Sequence, residues 1–134
     1  MNLETYLAVA AGGALGTVAR YFLSGAVAGA FGETFPWGTL IINVTGSFVI
    51  GFFGVLTGPD GRYLVSSATR QFVMIGLCGG YTTFSSFSLQ TLNLVRDGEW
   101  LYAGWNIIGS VLLCLLFVWA GAALAGEINQ LKGA

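Results

Sequence analysis

Four long apolar runs separated by short polar breaks set the pattern of the chain. The first extends from about Thr5 to Phe31 and stops at Gly32-Glu33-Thr34. The second covers about Trp37 to Thr57, behind Pro36, a residue suited to a helix start. The loop Gly58-Pro59-Asp60-Gly61-Arg62 is dense in turn formers. A third run, about Arg70 to Val95, is closed by Arg96-Asp97-Gly98-Glu99. The fourth covers about Leu101 to Ala125, ahead of the polar tail Glu127 to Lys132. Each reaches the roughly 20 residues that a helix needs to cross the hydrocarbon of a bilayer. The pattern predicts an all-α membrane protein, a single four-helix transmembrane domain over residues 1–134. Trp37, Trp100 and Tyr102 fall at span ends, where aromatic belts form. The short connections predict antiparallel neighbours.

Composition supports lipid as the solvent. The 134 residues are 55% hydrophobic and 8% charged, against roughly 25% charged in a soluble domain. The net charge is -1 and there is no basic patch, which excludes nucleic acid as a partner. The absence of histidine removes the usual proton shuttle and the commonest metal ligand. Cys78 and Cys114 lie in apolar stretches without CxxC spacing, and are expected to be small buried packing residues. The N-terminus has no basic region before its apolar stretch, so no cleaved signal peptide is expected.

Four helices make a thin bundle with little interior, which predicts an oligomer. Small-xxx-small pairs (Gly12 with Gly16, Gly25 with Gly29, Gly76 with Gly80) are candidates for close backbone approach. Arg62, Arg70 and Lys132 fall on the side of the termini and only Arg96 on the other. That bias places the N-terminus in the cytoplasm, but weakly enough that copies could insert both ways. Two inverted copies could then pair about an axis in the membrane plane.

Polar residues inside spans are costly and functional by default. They are Arg20, then Asn43, Thr45 and Ser47, then the stretch GGYTTFSSFS with Gln90, then Asn106 and Ser110. No acidic side chain falls mid-membrane. A proton-coupled exporter needs an ionisable relay there, and a cation path favours acidic rings. Amide and hydroxyl donors with one arginine suit an anion instead. Arg20 could draw an anion to a pore mouth or donate to helix-end carbonyls. Asn43 could join helices or donate to a passing anion.

The stretch GGYTTFSSFS, residues 79–88, sharpens this reading. Phe84 and Phe87 share one helix face, and Ser85 and Ser88 an adjacent one. The phenylalanines could simply face lipid while the serines bond back to the preceding turn. Alternatively, the positive ring edges could touch a small anion weakly beside the serine hydroxyls. Gly79 and Gly80 fit a break in the helix, whose freed carbonyls must be satisfied by protein, water or a cation such as Na⁺.

This stretch resembles the signature of the Fluc/CrcB fluoride channel family, GG-x-TTFS-[ST]-F. GGALGTVARY, PWGTLIINVTGSFVIGF and YAGWNIIGSVLLCLLFVWAG resemble its first, second and fourth spans, so the likeness covers nearly the whole chain. The resemblance implies an antiparallel, dual-topology homodimer with two fluoride pores, in the inner membrane of a bacterial cell. It implies that Asn43, Phe84, Phe87 and Ser110 line each pore, with Ser85, Ser86 and Ser88 as a hydroxyl track. Arg20, Thr39, Gln90 and Asn106 would serve the vestibule or support the pore. Backbone carbonyls of Gly79 and Thr82 would hold a structural Na⁺ between the subunits. Gln90 lies where some members carry glutamate, Asn106 where some carry tyrosine, and Ser86 where threonine is frequent.

The expected activity is passive fluoride export, without an ATP-binding glycine loop and without enzymatic chemistry. A small multidrug-type exporter would need an acid in the first span, which is absent. A non-transporting scaffold would leave ion flux indifferent to Asn43→Leu or Phe84→Ile.

Overall fold

The computed structural model describes residues 2–131. Its elements are α1 (Leu3–Phe31), α2 (Trp37–Leu56), α3 (Ser67–Gln71), a π-helical segment (Phe72–Cys78), α4 (Gly79–Tyr81), α5 (Phe84–Arg96) and α6 (Trp100–Gln130). The run from α3 through α5 is one interrupted span, Ser67–Arg96. With α1, α2 and α6 it gives four segments long and apolar enough to cross a bilayer, so the protein is a multi-pass membrane protein. In the most apolar window of each span only 11–17% is buried inside the chain. Most of the apolar surface therefore faces outward, as lipid requires.

Several helix ends differ from the predicted boundaries, each for a physical reason. α1 begins at Leu3 rather than Thr5, because the Asn2 side chain accepts from the Thr5 amide at 2.9 Å. The third span begins at Ser67, capped by the Ser66 hydroxyl, which accepts from the Thr69 amide. The fourth continues through most of the expected polar tail to Gln130. Asn129 holds that extension: its amide donates to the Val55 carbonyl at 3.1 Å and its oxygen accepts from the Arg62 amide at 2.6 Å. α2 ends at Leu56, where the Arg70 guanidinium donates to the Gly54 carbonyl and the Thr57 hydroxyl. A cation at a helix C-terminus complements its dipole. Lys132 lies outside the described residues.

Consecutive spans are not the main packing partners. α1 packs on the third span and α2 on α6. Gly12 meets Phe72 and Gly76, and Gly16 meets Leu77 and Tyr81, so residue numbers rise together and the two spans run parallel. Phe35 with Tyr102, Gly51 with Val118 and Val55 with Asn129 show the same for α2 and α6. A Cβ at Gly12 or Gly16 would collide with the carbonyl oxygen of Phe72 or Leu77. Two of the three glycine pairs are thus contacts. Gly25 and Gly29 meet nothing within 4 Å.

The third span is interrupted, but not at the glycines. Gly79 and Gly80 are helical, and Gly80 is spent on close approach to Gly13. The chain becomes extended at Thr82 (φ -81°, ψ 158°) and Thr83 (φ -154°, ψ 116°). α5 restarts at Phe84, with the Thr83 hydroxyl accepting from the Ser86 amide at 3.1 Å.

Candidate functional site: a polar groove at the helix break

The interruption leaves backbone groups at membrane depth, and distant side chains answer them. Asn43 on α2 makes a two-point pair with Thr83. Its Nδ2 donates to the Thr83 carbonyl at 3.0 Å and its Oδ1 accepts from the Thr83 amide at 2.8 Å. This pairing uses one amide proton and leaves the other free. Arg20 donates through Nε to the Gly80 carbonyl at 3.0 Å, the helix-end role considered above, and the Thr17 hydroxyl donates to the same oxygen at 3.4 Å. The Cys78 carbonyl accepts from both the amide and the hydroxyl of Thr82. The carbonyls of Gly79 and Thr82 take part in none of the hydrogen bonds found among the described residues. The amides of Phe84 and Ser85 stand at the first two positions of α5, where an amide has no partner within its own helix.

A cavity of about 410 Å³ opens beside this break. Asn43, Phe84, Phe87 and Ser110 line it together with Gly79 and Thr82. Four of the seven expected pore residues thus share one wall system. Phe84 is 77% exposed, while Phe87 is half-buried with its ring 5.3 Å from that of Phe84, centroid to centroid. Ser85, Ser86 and Ser88 do not line this cavity. Ser85 is exposed with its hydroxyl 3.3 Å from that of Thr83, Ser86 is held through its backbone amide, and Ser88 donates back to the Phe84 carbonyl at 3.0 Å.

Thr39 and Gln90 line a second cavity, of about 650 Å³, between the C-terminal half of α1 and the starts and ends of neighbouring spans. Glu33 and Asp97 also line it. Gln90 Oε1 is the buried side-chain polar atom left without a hydrogen bond among the described residues. Asn106 is 2% exposed and joins Thr91 and Ser110.

Ser47, Thr83, Cys78 and Cys114 also line the first cavity. Cys78 is buried, as expected, but Cys114 is only half-buried and forms part of the groove wall. The signal for Thr83 was available: a threonine three residues before Ser86 is an N-cap pattern. Nothing local marks Cys114, since its role depends on where α6 lies against the break.

The family model described as CrcB-like protein, Camphor Resistance (CrcB), matches residues 7–122. The chain belongs to the CrcB-like family. A protein of Opitutus terrae named fluoride-specific ion channel FluC is 61% identical over 131 residues, covering 98% of this chain and 99% of the relative. A Rhodospirillum rubrum protein of the same name is 60% identical over 126 residues, 94% of this chain and 98% of the relative. A third, from Methylocella silvestris, is 61% identical over 129 residues, 96% and 98% of the two chains. The match to the CrcB-like family spans the break and every residue that lines the groove.

Proposed function

We propose that this chain forms a fluoride-selective channel through which cytoplasmic fluoride leaves passively, down its electrochemical gradient. The observation that carries the reading is the polarity of the break. The N-terminus of α5 meets the groove at Thr83 and Phe84, where the first helical amide has no partner within its own helix, beside the second amide proton of Asn43. A helix N-terminus favours negative charge, and a span broken mid-membrane brings that end to the ion path. Among the described residues, the groove lining contains no carboxylate and no cationic side chain. An anion meets neutral donors there, which hold it without trapping it. The names borne by relatives about 60% identical over nearly their whole length supply the anion's identity.

The assembly we infer is an antiparallel homodimer of oppositely inserted copies with two pores, in a bacterial inner membrane. Thr17, Thr45, Ser85 and Ser88 are exposed on the spans, and Gly79 is exposed beside its unbonded carbonyl. Exposed backbone polar groups cost several kcal/mol each in lipid. A second copy covers them and receives the exposed Phe84 ring into its own groove. The Gly79 and Thr82 carbonyls are hard oxygen donors of the kind that Na⁺ takes, whereas the Gly80 carbonyl is already occupied by Arg20. Two oxygens from each copy would hold a structural Na⁺, which would neutralise the open carbonyls at the centre.

Fluoride crosses lipid as neutral HF and dissociates in the cytoplasm. An inside-negative potential, worth about 2.3 kcal/mol per charge per 100 mV, then drives the anion outward. Selectivity follows from a narrow path that replaces water with close donors, which a larger halide fits poorly. The test is efflux from liposomes loaded with potassium fluoride, with valinomycin to carry the counter-charge and a fluoride electrode outside. Rapid efflux without ATP or a proton gradient, abolished by Phe84→Ile, is expected. Efflux that requires a proton gradient, or equal chloride efflux, would contradict the proposal.

A further inference from the structure

We propose that Asn106 and Thr91 form a rung that sets the width of the groove and thereby its discrimination between fluoride and larger halides; this rests on the fluoride reading above. α5 and α6 are the arms of a hairpin, closed where the Glu99 amide donates to the Leu94 carbonyl at 2.8 Å. Leu94 and Ala103 are buried near the turn. Further along, Asn106 Nδ2 donates to the Thr91 hydroxyl at 2.9 Å. Among the described residues this is the one side-chain hydrogen bond that joins the two helices. Phe87 lies one turn beyond Thr91, and Ser110 one turn beyond Asn106, and both stand in the groove wall. The rung therefore sits where the hairpin arms begin to part around the groove.

The bonds of the rung run head to tail. Ser110 donates to Asn106 Oδ1 at 3.3 Å, Asn106 donates to Thr91, and Thr91 donates to the Phe87 carbonyl at 2.8 Å. Thr91 spends its proton on Phe87, so its partner must be a donor. An amide at residue 106 donates to Thr91 and accepts from Ser110 together. A carboxylate could not donate, and an aliphatic side chain could do neither. Asn106 thus ties one wall of the groove to the other through residues that carry Phe87 and Ser110. Asn106 itself is too deeply buried to touch an ion in the groove and acts as a positioning residue.

Asn106→Leu conserves volume and strands no buried polar group. Thr91 keeps its bond to Phe87, and Ser110 can turn to its own i−4 carbonyl. The fold should survive while the tie is lost. Once the arms can part, the larger halide gains most, so chloride flux rises relative to fluoride flux. Fluoride and chloride efflux are measured separately, with the full chain in liposomes. Asn106→Leu and Thr91→Val should each lower the fluoride-to-chloride ratio by about tenfold, the low end of discrimination by pocket size. Thr91→Ser, which retains the hydroxyl, should hold the ratio near that of the unmodified chain. A purely structural role would lower both fluxes together and leave the ratio unchanged, and that outcome in both variants overturns the rung. Should Asn106→Leu fail to assemble, Thr91→Val decides. Absence of fluoride flux in the unmodified chain overturns the underlying reading and the rung with it; fluoride flux with an unaltered ratio overturns the rung alone.

Discussion

Replacing Asn43 by leucine tests the account of the break at its most exposed point. The two side chains are similar in size, so little packing volume changes. What disappears is the pair of bonds, 3.0 and 2.8 Å, that satisfies both backbone groups of Thr83. Leaving a buried backbone donor or acceptor unsatisfied costs about 1–3 kcal/mol. Two such groups give about 2–6 kcal/mol in a dry site, and water entering the groove beside Thr83 would place the result near the lower end. The variant should therefore melt earlier in detergent and lose fluoride flux in liposomes. Asn43→Asp separates the two bonds. Its carboxylate can still accept from the Thr83 amide but sets an oxygen against the Thr83 carbonyl, and it adds charge to a groove wall meant for an anion. It should lose flux at least as completely as the leucine variant. Unchanged melting with flux lost would show that Asn43 serves only as a donor to the ion and does not hold the interrupted backbone. Unchanged melting and flux together would remove Asn43 from the site.

Other substitutions probe the frame around the groove. Gly16→Val should prevent assembly, because its side chain would enter the Leu77 carbonyl and the Tyr81 amide, whereas Gly29→Val, facing open space, should fold; size-exclusion profiles distinguish them. Arg20→Met removes the donor to Gly80 at the break and should lower thermal stability by about 1–3 kcal/mol, with the loss of flux following unfolding. With no carboxylate among the described residues of the groove and no histidine in the chain, fluoride flux at fixed fluoride concentration should be flat from about pH 6 to 8. Gln90→Glu places a third carboxyl in the cavity that holds Glu33 and Asp97. Its charged form repels an anion, so flux in that variant should fall as pH rises.

The spans were legible in the sequence because hydrophobicity is a sum over many residues and tolerates local error. The interruption was legible as a fact but misattributed in cause. Gly79 and Gly80 read as helix breakers, yet glycine has a second use, and here Gly80 lets α4 approach Gly13. The extended backbone falls instead at Thr82 and Thr83, where Asn43, 40 residues away in sequence, supplies the missing partners. A contact of that range leaves no local trace. The same holds for the end of α6, which continues because Asn129 meets Val55 and Arg62. It holds too for Cys114, whose place in the groove wall depends on the path of a different span. Asn43 and Ser110 stand out in the sequence as polar residues inside spans, whereas the expectation that Phe84 and Phe87 join them along a pore rests on the family resemblance. The serines at 85, 86 and 88 shared that signal, but within one chain their backbone and hydroxyl bonds stay on α5 and Thr83.

The central claim is that fluoride itself carries the current, uncoupled from protons or other ions. The most direct measurement is the reversal potential of the purified protein in a planar bilayer, with a tenfold fluoride gradient and equal chloride on the two sides. The account predicts reversal close to the fluoride Nernst potential, about 59 mV per tenfold gradient for one charge. Reversal near zero, or one that follows a gradient of protons, sodium or chloride instead, would contradict it.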